Sequence, residues 1–223
     1  PYMYFFLVRC LCGRGNWERV KAFFEACRVP HIKSCALPVI PDEVEPFYKS
    51  ATILNWWNEI EQRSLELSLR FRHMFVSDIT NCYGSINPES IDWALSLSGT
   101  DKATNANHDI ARGIITCLSD MQQGRNIGIP QGSSAFDVVA EIVLGYADLM
   151  LHERLQQMFD EEQIDEDYEI LRYRDDYRIF CNDKDLLERI SYILQQVLER
   201  LNFRMNSSKT RITSDVVADS IKP

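Results

Sequence analysis

Two adjacent acids, Asp175 and Asp176, stand between alternating runs in the segment from Glu169 to Asn182. That pattern predicts a β-hairpin with paired carboxylates at its tip. Carboxylates this close repel one another unless a cation neutralises them, so the tip suits a divalent metal. By itself, an acidic pair is as readily a solvated turn. Three further segments bear on the choice. Met74 to Asp78 reads as a short strand ending on an acid, which puts a third carboxylate at a sheet edge. Gly128-Ile129-Pro130-Gln131-Gly132 directly precedes a long helical pattern. Glycines there let the backbone approach a ligand, and a helix N-terminus favours phosphate. Asn206-Ser207-Ser208-Lys209-Thr210 follows an amphipathic helix and carries one cation. Each segment also has a plain structural reading: a turn, a helix start capped by Ser133 or Ser134, and a solvated lysine.

The elements that must position these residues are mixed α and β. Tyr2 to Cys12 reads as a strand closed by a Gly13-Arg14-Gly15-Asn16 turn, and Trp17 to Cys27 has helical spacing. Residues 28–48 are proline-rich and read as an irregular connection. A helix follows from Ile53 to about Arg70, with Trp57, Ile60, Leu65 and Leu69 turned inward. Pro88 opens another in its first turn. Further helices are expected over Asn107 to Met121 and Ser133 to Phe159, the latter very apolar in its first half. After the acidic hairpin, Asp185 can cap a strongly periodic helix through Leu201. Residues 202–213 return as strand or turn.

At 223 residues the chain can bury a sizeable core. Its longest apolar run, Tyr2 to Val8, is too short for a membrane span, and no secretory pattern opens it. Pro1 in place of methionine suggests a part of a longer protein. Seven scattered cysteines point to reduced thiols and a cytoplasmic setting. Cys10, Cys12, Cys27 and Cys35 lack the paired spacing usual for zinc, so structural thiols are the expected reading. The net charge of −9 argues at first against a nucleic-acid partner. Seven of the acids fall in the run Asp160 to Glu169, and Arg172, Arg174 and Arg178 flank the hairpin. The total therefore does not exclude nucleic acid.

Taken in order, the four segments resemble the palm of a reverse transcriptase. Asp78 with Tyr83 five residues on resembles the first metal-binding strand, and Gly128 to Gly132 the nucleotide and template loop. Tyr173-Arg174-Asp175-Asp176 resembles the Tyr-x-Asp-Asp hairpin, and Asn206 to Thr210 the Asn-x-x-Lys-Thr segment. Arg174 departs from the small or apolar residue many members carry. Asp78 to Ile86, Trp56-Trp57 and Ala140 to Asp148 look most like prokaryotic defence-associated enzymes of the abortive-infection and unknown-group lineages.

The resemblance implies an α+β right-hand polymerase palm, an antiparallel sheet with packed helices, plus partial fingers and no thumb. Residues 1–72 would be a fingers-side segment, 73–86 the first catalytic palm strand, 87–127 a fingers-side helical insertion, and 128–223 palm with the catalytic hairpin. It implies an RNA-directed DNA polymerase, in which Asp78, Asp175, Asp176 and the carbonyl of Ile79 hold two Mg²⁺ (or Mn²⁺) ions. Tyr83 would exclude a 2′-hydroxyl, Gln131 and Gly132 would shape the nascent base-pair pocket beside Tyr173, and Lys209 would serve the phosphates or protonate pyrophosphate. Partners would be an RNA template, a DNA or RNA primer, deoxynucleoside triphosphates and, in antiviral defence, a dedicated non-coding RNA; no membrane is implied. Untemplated or protein-primed DNA synthesis needs the same acids. A bulky Tyr83 counts against RNA synthesis, and three intact acids count against a non-catalytic RNA-binding scaffold.

Overall fold

A computed structural model describes residues 2–13, 15–36, 57–96, 101–125 and 127–220. Trp56, the Trp57 side chain and most of the proline-rich connection lie outside the described residues. The chain divides into two compact units. One comprises Pro30–Thr80, Leu151–Gln196 and Arg204–Pro223; the other comprises Pro1–Val29, Asn81–Met150 and Val197–Phe203.

The first unit holds a five-stranded sheet. Its strands are β1 (Ile32–Ser34), β2 (His73–Asp78), β3 (Tyr168–Tyr173), β4 (Asp176–Cys181) and β5 (Arg211–Thr213), in the order β1-β3-β4-β2-β5. Only β1 runs parallel to its neighbour; the other pairings are antiparallel. Alternation decides which side chains meet. Met74, Leu171 and Phe180 share one face and pack on Leu67, Phe71 and Val216. Each such side chain contributes about 1.5–3 kcal/mol when fully buried. Tyr168, Ile170, Tyr177 and Ile179 fill the opposite face and are fully buried. Tyr168 stacks on Phe159 with ring centroids 5.4 Å apart.

Before β2, Trp57–Gln62 is a π-helical turn that leads into α3 (Arg63–Ser68). Such a turn inserts a residue and rotates the face that follows. Ile60 faces inward as predicted, but Leu69 is 86% exposed and Ser64 and Leu67 take the interior instead. The expected irregular connection also contains β1, which borrows its register from β3 by pairing Ile32 with Ile170.

The second unit is helical. Tyr2 to Cys12 is not a strand but helix α1 (Tyr2–Cys12). A segment whose single charge is Arg9 carries almost no period of its own; here Leu7 and Leu11, one turn apart, are the buried pair. Helix α2 (Asn16–Ala26) follows as expected, then the short α4 (Cys82–Ser85) and α5 (Glu89–Ser96) after Pro88. Helix α6 spans Asp101–Met121, six residues longer at its start than predicted, and packs on α1 and α5.

Two helices contribute residues to both units: α7 (Ser134–Glu162) and α8 (Lys184–Arg200). The side chain that caps α8 is Asp183, not Asp185. Its Oδ1 accepts from the backbone N–H of Asp185 at 2.8 Å and of Leu186 at 3.3 Å. A short helix α9 (Val216–Ser220) ends the described chain. Among the described residues no helix is long and apolar enough to cross a membrane.

Candidate active site

Three acids meet at one end of the sheet. Tyr173 pairs with Asp176 across β3 and β4, leaving Arg174 and Asp175 as a two-residue turn. Arg174 takes a positive φ of 53°, the conformation tight hairpin turns demand at the start of such loops. Its guanidinium carbon lies 5.6 Å from the centre of the Tyr173 ring. The fully buried Arg172 donates from Nη1 to the Arg174 carbonyl at 3.1 Å and so braces the turn from within the sheet. On the other side, Asp78 is the register partner of Asp176. The predicted hairpin and strand therefore bring Asp78, Asp175 and Asp176 together.

The electrostatics are those of crowded acids. Burial pushes the Asp175 carboxyl above the ordinary carboxylate range. A hydrogen bond from its own backbone N–H opposes this, and the negative charges of Asp176 and Asp78 add to the rise. Asp78 is 8% exposed, and its Oδ1 is buried without any hydrogen-bond partner. Its other oxygen, Oδ2, accepts from Lys209 Nζ at 2.5 Å. That hydrogen bond and the charge of Asp78 raise the Lys209 pKa.

Lys209 is placed by its own segment. The Asn206 side-chain oxygen accepts from Ser208 N at 3.1 Å and from Ser208 Oγ at 2.7 Å. The Asn206 carbonyl accepts from Thr210 N at 2.9 Å. An Asx turn thus explains why asparagine precedes the lysine by three residues. Asn206 N in turn donates to the carbonyl of Asp78 at 2.9 Å, tying the segment to the strand that carries the acid.

Ile79 forms an isolated bridge with Met205, flanked by bonds from Thr80 N to Arg204 O and from Asn206 N to Asp78 O. In such a pair both main-chain groups of the central residue face away from its partner. Accordingly, Ile79 N–H donates to the Asp175 carbonyl at 3.1 Å. Strand geometry directs the Ile79 carbonyl to that same side.

This set fits a hard divalent cation: oxygen donors only, mutually repelling carboxylates, and an orphaned buried oxygen on Asp78. Among the described residues no three Asp, Glu, His or Cys side chains are yet grouped so as to hold a metal ion. Among the described residues no zinc-like cluster appears either. Cys10, Cys12, Cys27 and Cys35 are not in disulfides, nor are the buried Cys82, Cys117 and Cys181.

In the helical unit, Tyr83 lies in α4 and is 8% exposed. Its hydroxyl donates to Asp137 Oδ1 at 2.6 Å, and its carbonyl accepts from Ile129 N at 2.8 Å. Gly128 has φ 59°, and a Cβ there would fall 2.6 Å from Gly84 Cα, so only glycine admits this crossing. Gln131 and Gly132 are exposed, with Gly132 at φ 103°.

Sequence reasoning passed over Asp137 and read Arg172 and Arg178 only as basic flanks of the hairpin, whereas both are buried. The two arginines had a partial signal, since each lies two positions along its strand from a fully buried apolar residue of the same face, Ile170 for Arg172 and Phe180 for Arg178. Glu141 and Asp148, noted in the apolar half of α7, are both buried.

The sequence profile described as reverse transcriptase (RNA-dependent DNA polymerase) matches residues 22–222. No curated protein matches the chain. Among solved structures, apo telomerase from Candida tropicalis is similar with a TM-score of 0.58 at 13% identity, over 88% of this chain and 36% of that one. A form of it truncated from the C-terminal domain gives 0.56 at 16% identity, over 88% and 39%. Telomerase from Candida albicans in complex with a fragment of telomeric RNA gives 0.51 at 12% identity, over 95% and 33%. Identities this low establish a shared fold. The chain spans 33% to 39% of the length of these relatives.

Proposed function

We propose that this chain, which belongs to the reverse transcriptase (RNA-dependent DNA polymerase) family, extends a nucleic-acid 3′ end with deoxynucleotides on an RNA template. The observation that carries the reading is the register pair Asp78–Asp176, with Asp175 beside it and a buried Asp78 oxygen that no protein group satisfies. Phosphoryl transfer asks a protein mainly for positioning and for charge to be neutralised as it moves.

Asp78, Asp175, Asp176 and the Ile79 carbonyl would hold two Mg²⁺ ions. When bound, those ions supply acidification of the primer hydroxyl and neutralisation of the triphosphate and its leaving pyrophosphate. The chain's own residues do the rest. The Arg172-braced turn fixes Asp175 and Asp176 at the hairpin tip. Lys209, held protonated by Asp78, is a counter-ion to be handed to the phosphates, because acid work would call for a lowered pKa. By the motif resemblance, Tyr83 is assigned to rejecting a 2′-hydroxyl, Gln131 and Gly132 to the incoming base pair, and Tyr173 to substrate binding.

The same reading assigns residues 1–72 and 87–127 to the fingers side and residues 73–86 and 128–223 to the palm. It sets the protein in the cytoplasm of a prokaryote, in antiviral defence with a dedicated non-coding RNA. The motif resemblance at Asp78 to Ile86 and Ala140 to Asp148 supports that setting. The test is incorporation of labelled deoxynucleotides in Mg²⁺ by the protein with its co-purifying RNA. The Asp175→Ala/Asp176→Ala variant should remain folded and inactive. Equal incorporation by that variant would overturn the assignment, and the product sequence shows whether the RNA was copied.

A further inference from the structure

We propose that Asp137 is the positioning residue of Tyr83, and that discrimination between deoxy- and ribonucleotides depends on its carboxylate. The inference rests on the wall role given to Tyr83 above.

Tyr83 is held at both ends by one stretch of chain. At the main chain, its carbonyl accepts from Ile129, and the neighbouring Gly128 has no room for a side chain against Gly84 and the Tyr83 carbonyl. At the tip of the ring, its hydroxyl donates to Asp137 Oδ1 at 2.6 Å across 54 sequence positions. A hydrogen bond to an ionised acceptor is short and about twice as strong as a neutral one. Between Ile129 and Asp137 lie Gln131 and Gly132, the residues assigned to the base-pair pocket. Wall and pocket loop therefore share one support.

The need for that support follows from the task. A steric wall rejects a hydroxyl only as far as it refuses to yield. A ~30° excursion of a side-chain torsion costs little, so a ring anchored at its backbone alone can swing about χ1. A carboxylate fixed in the first turn of α7 removes that freedom at the far end of the ring, where leverage is greatest. Pocket differences the size of one small group change selectivity by about 10–200-fold.

An acid in the first turn of a helix also interacts favourably with the helix dipole, so loss of Asp137 can lower stability for a reason unrelated to Tyr83. The test must separate the two. We would measure kcat/KM for a deoxynucleotide and its ribonucleotide in wild type, Tyr83→Phe, Asp137→Asn, Asp137→Ala and the Tyr83→Phe/Asp137→Ala pair, with Tm for each. Tyr83→Phe keeps the bulk and removes only the hydroxyl.

The expected result is a fall of about tenfold in the deoxy-over-ribo ratio in Tyr83→Phe and in Asp137→Ala, within reach of one charge-assisted hydrogen bond. The double variant should fall no further, because both changes break the same bond. Asp137→Asn retains an acceptor and should lose less. If Asp137→Ala is too unstable to assay, Tyr83→Phe carries the test. An unchanged ratio, with kcat/KM for both nucleotides falling together, would overturn the positioning role and leave the polymerase reading intact. Incorporation of neither nucleotide by wild type would overturn both.

Discussion

Arg178 offers a prediction whose size can be worked from geometry. The residue lies on β4 two positions beyond Asp176, so both side chains leave the same face of the sheet. It is only 5% exposed. Its Nη1 donates to Ser64 Oγ at 2.8 Å and to the Ser220 carbonyl at 3.1 Å. Burial lowers its pKa, while the charges of Asp176 and Glu61 act the other way. Replacing it with methionine keeps most of the stem volume and removes the cation. Two hydrogen bonds from a charged donor, at about 1.5–3 kcal/mol each, set a gross loss of roughly 3–6 kcal/mol. Relief from burying a guanidinium offsets part of that. Breaking a buried charged set by removing one member typically costs about 3–5 kcal/mol, because what remains is left unpaired. Here the remainder includes Glu61, which is 6% exposed with Oε1 already lacking a hydrogen-bond partner. For a chain of this length the loss converts to a fall in Tm of about 6–20 °C. Urea unfolding without metal, followed by circular dichroism, measures it for Arg178→Met against Arg178→Lys. The lysine variant should recover part of the loss. An Arg178→Met protein within about 1 kcal/mol of wild type would refute the reasoning, by showing that desolvation cancels the bonds.

Two further outcomes follow from the site and its surroundings. Mg²⁺ alone, at about 100 times its dissociation constant, should stabilise the protein by about 2.7 kcal/mol, or roughly 5–10 °C in Tm; Asp78→Asn should abolish most of that shift, and an equal shift in the variant would remove Asp78 from the ligand set. Burial lowers the His152 pKa below its ordinary 6.5, and its Nδ1 has no hydrogen-bond partner. The unfolded chain therefore takes up this proton first, so the contribution is present above pH 6.5 and is lost as pH falls through that value towards the lower folded one. His152→Gln should lessen the loss of stability between pH 8 and pH 5, and identical pH profiles for the two proteins would count against it.

Local signals marked much of the site in advance. Asp175 and Asp176 sit between two β-like runs, and a two-residue turn leaves them at the tip. Asp78 closes a readable strand, but its register against Asp176 is a pairing across about a hundred residues that only the fold supplies. Lys209 could be located but not oriented, since its contact with Asp78 spans 131 positions. Asp137 was invisible for the same reason, because its counterpart Tyr83 is distant in sequence. Helix α1 was misread because Tyr2 to Cys12 is apolar but for Arg9, and only packing selects between strand and helix for such a run. Strand β1 escaped because three residues carry no period, and its pairing comes from β3, far along the chain. The π-turn at Trp57–Gln62 displaced the expected inward face by a mechanism that composition does not encode.

The Lys209 ammonium on Asp78 is a salt formed within the protein itself. A divalent ion arriving there would enter by exchange and not by filling a bare site, so its apparent affinity would reflect a swap of cations. The swap is cheap on the protein side, because the lysine is solvent-exposed and rehydrates as it leaves. Its departing charge would then be free for whichever anion came in with the metal. Keeping in the absence of metal and loading on demand are in that sense two consequences of one ion pair.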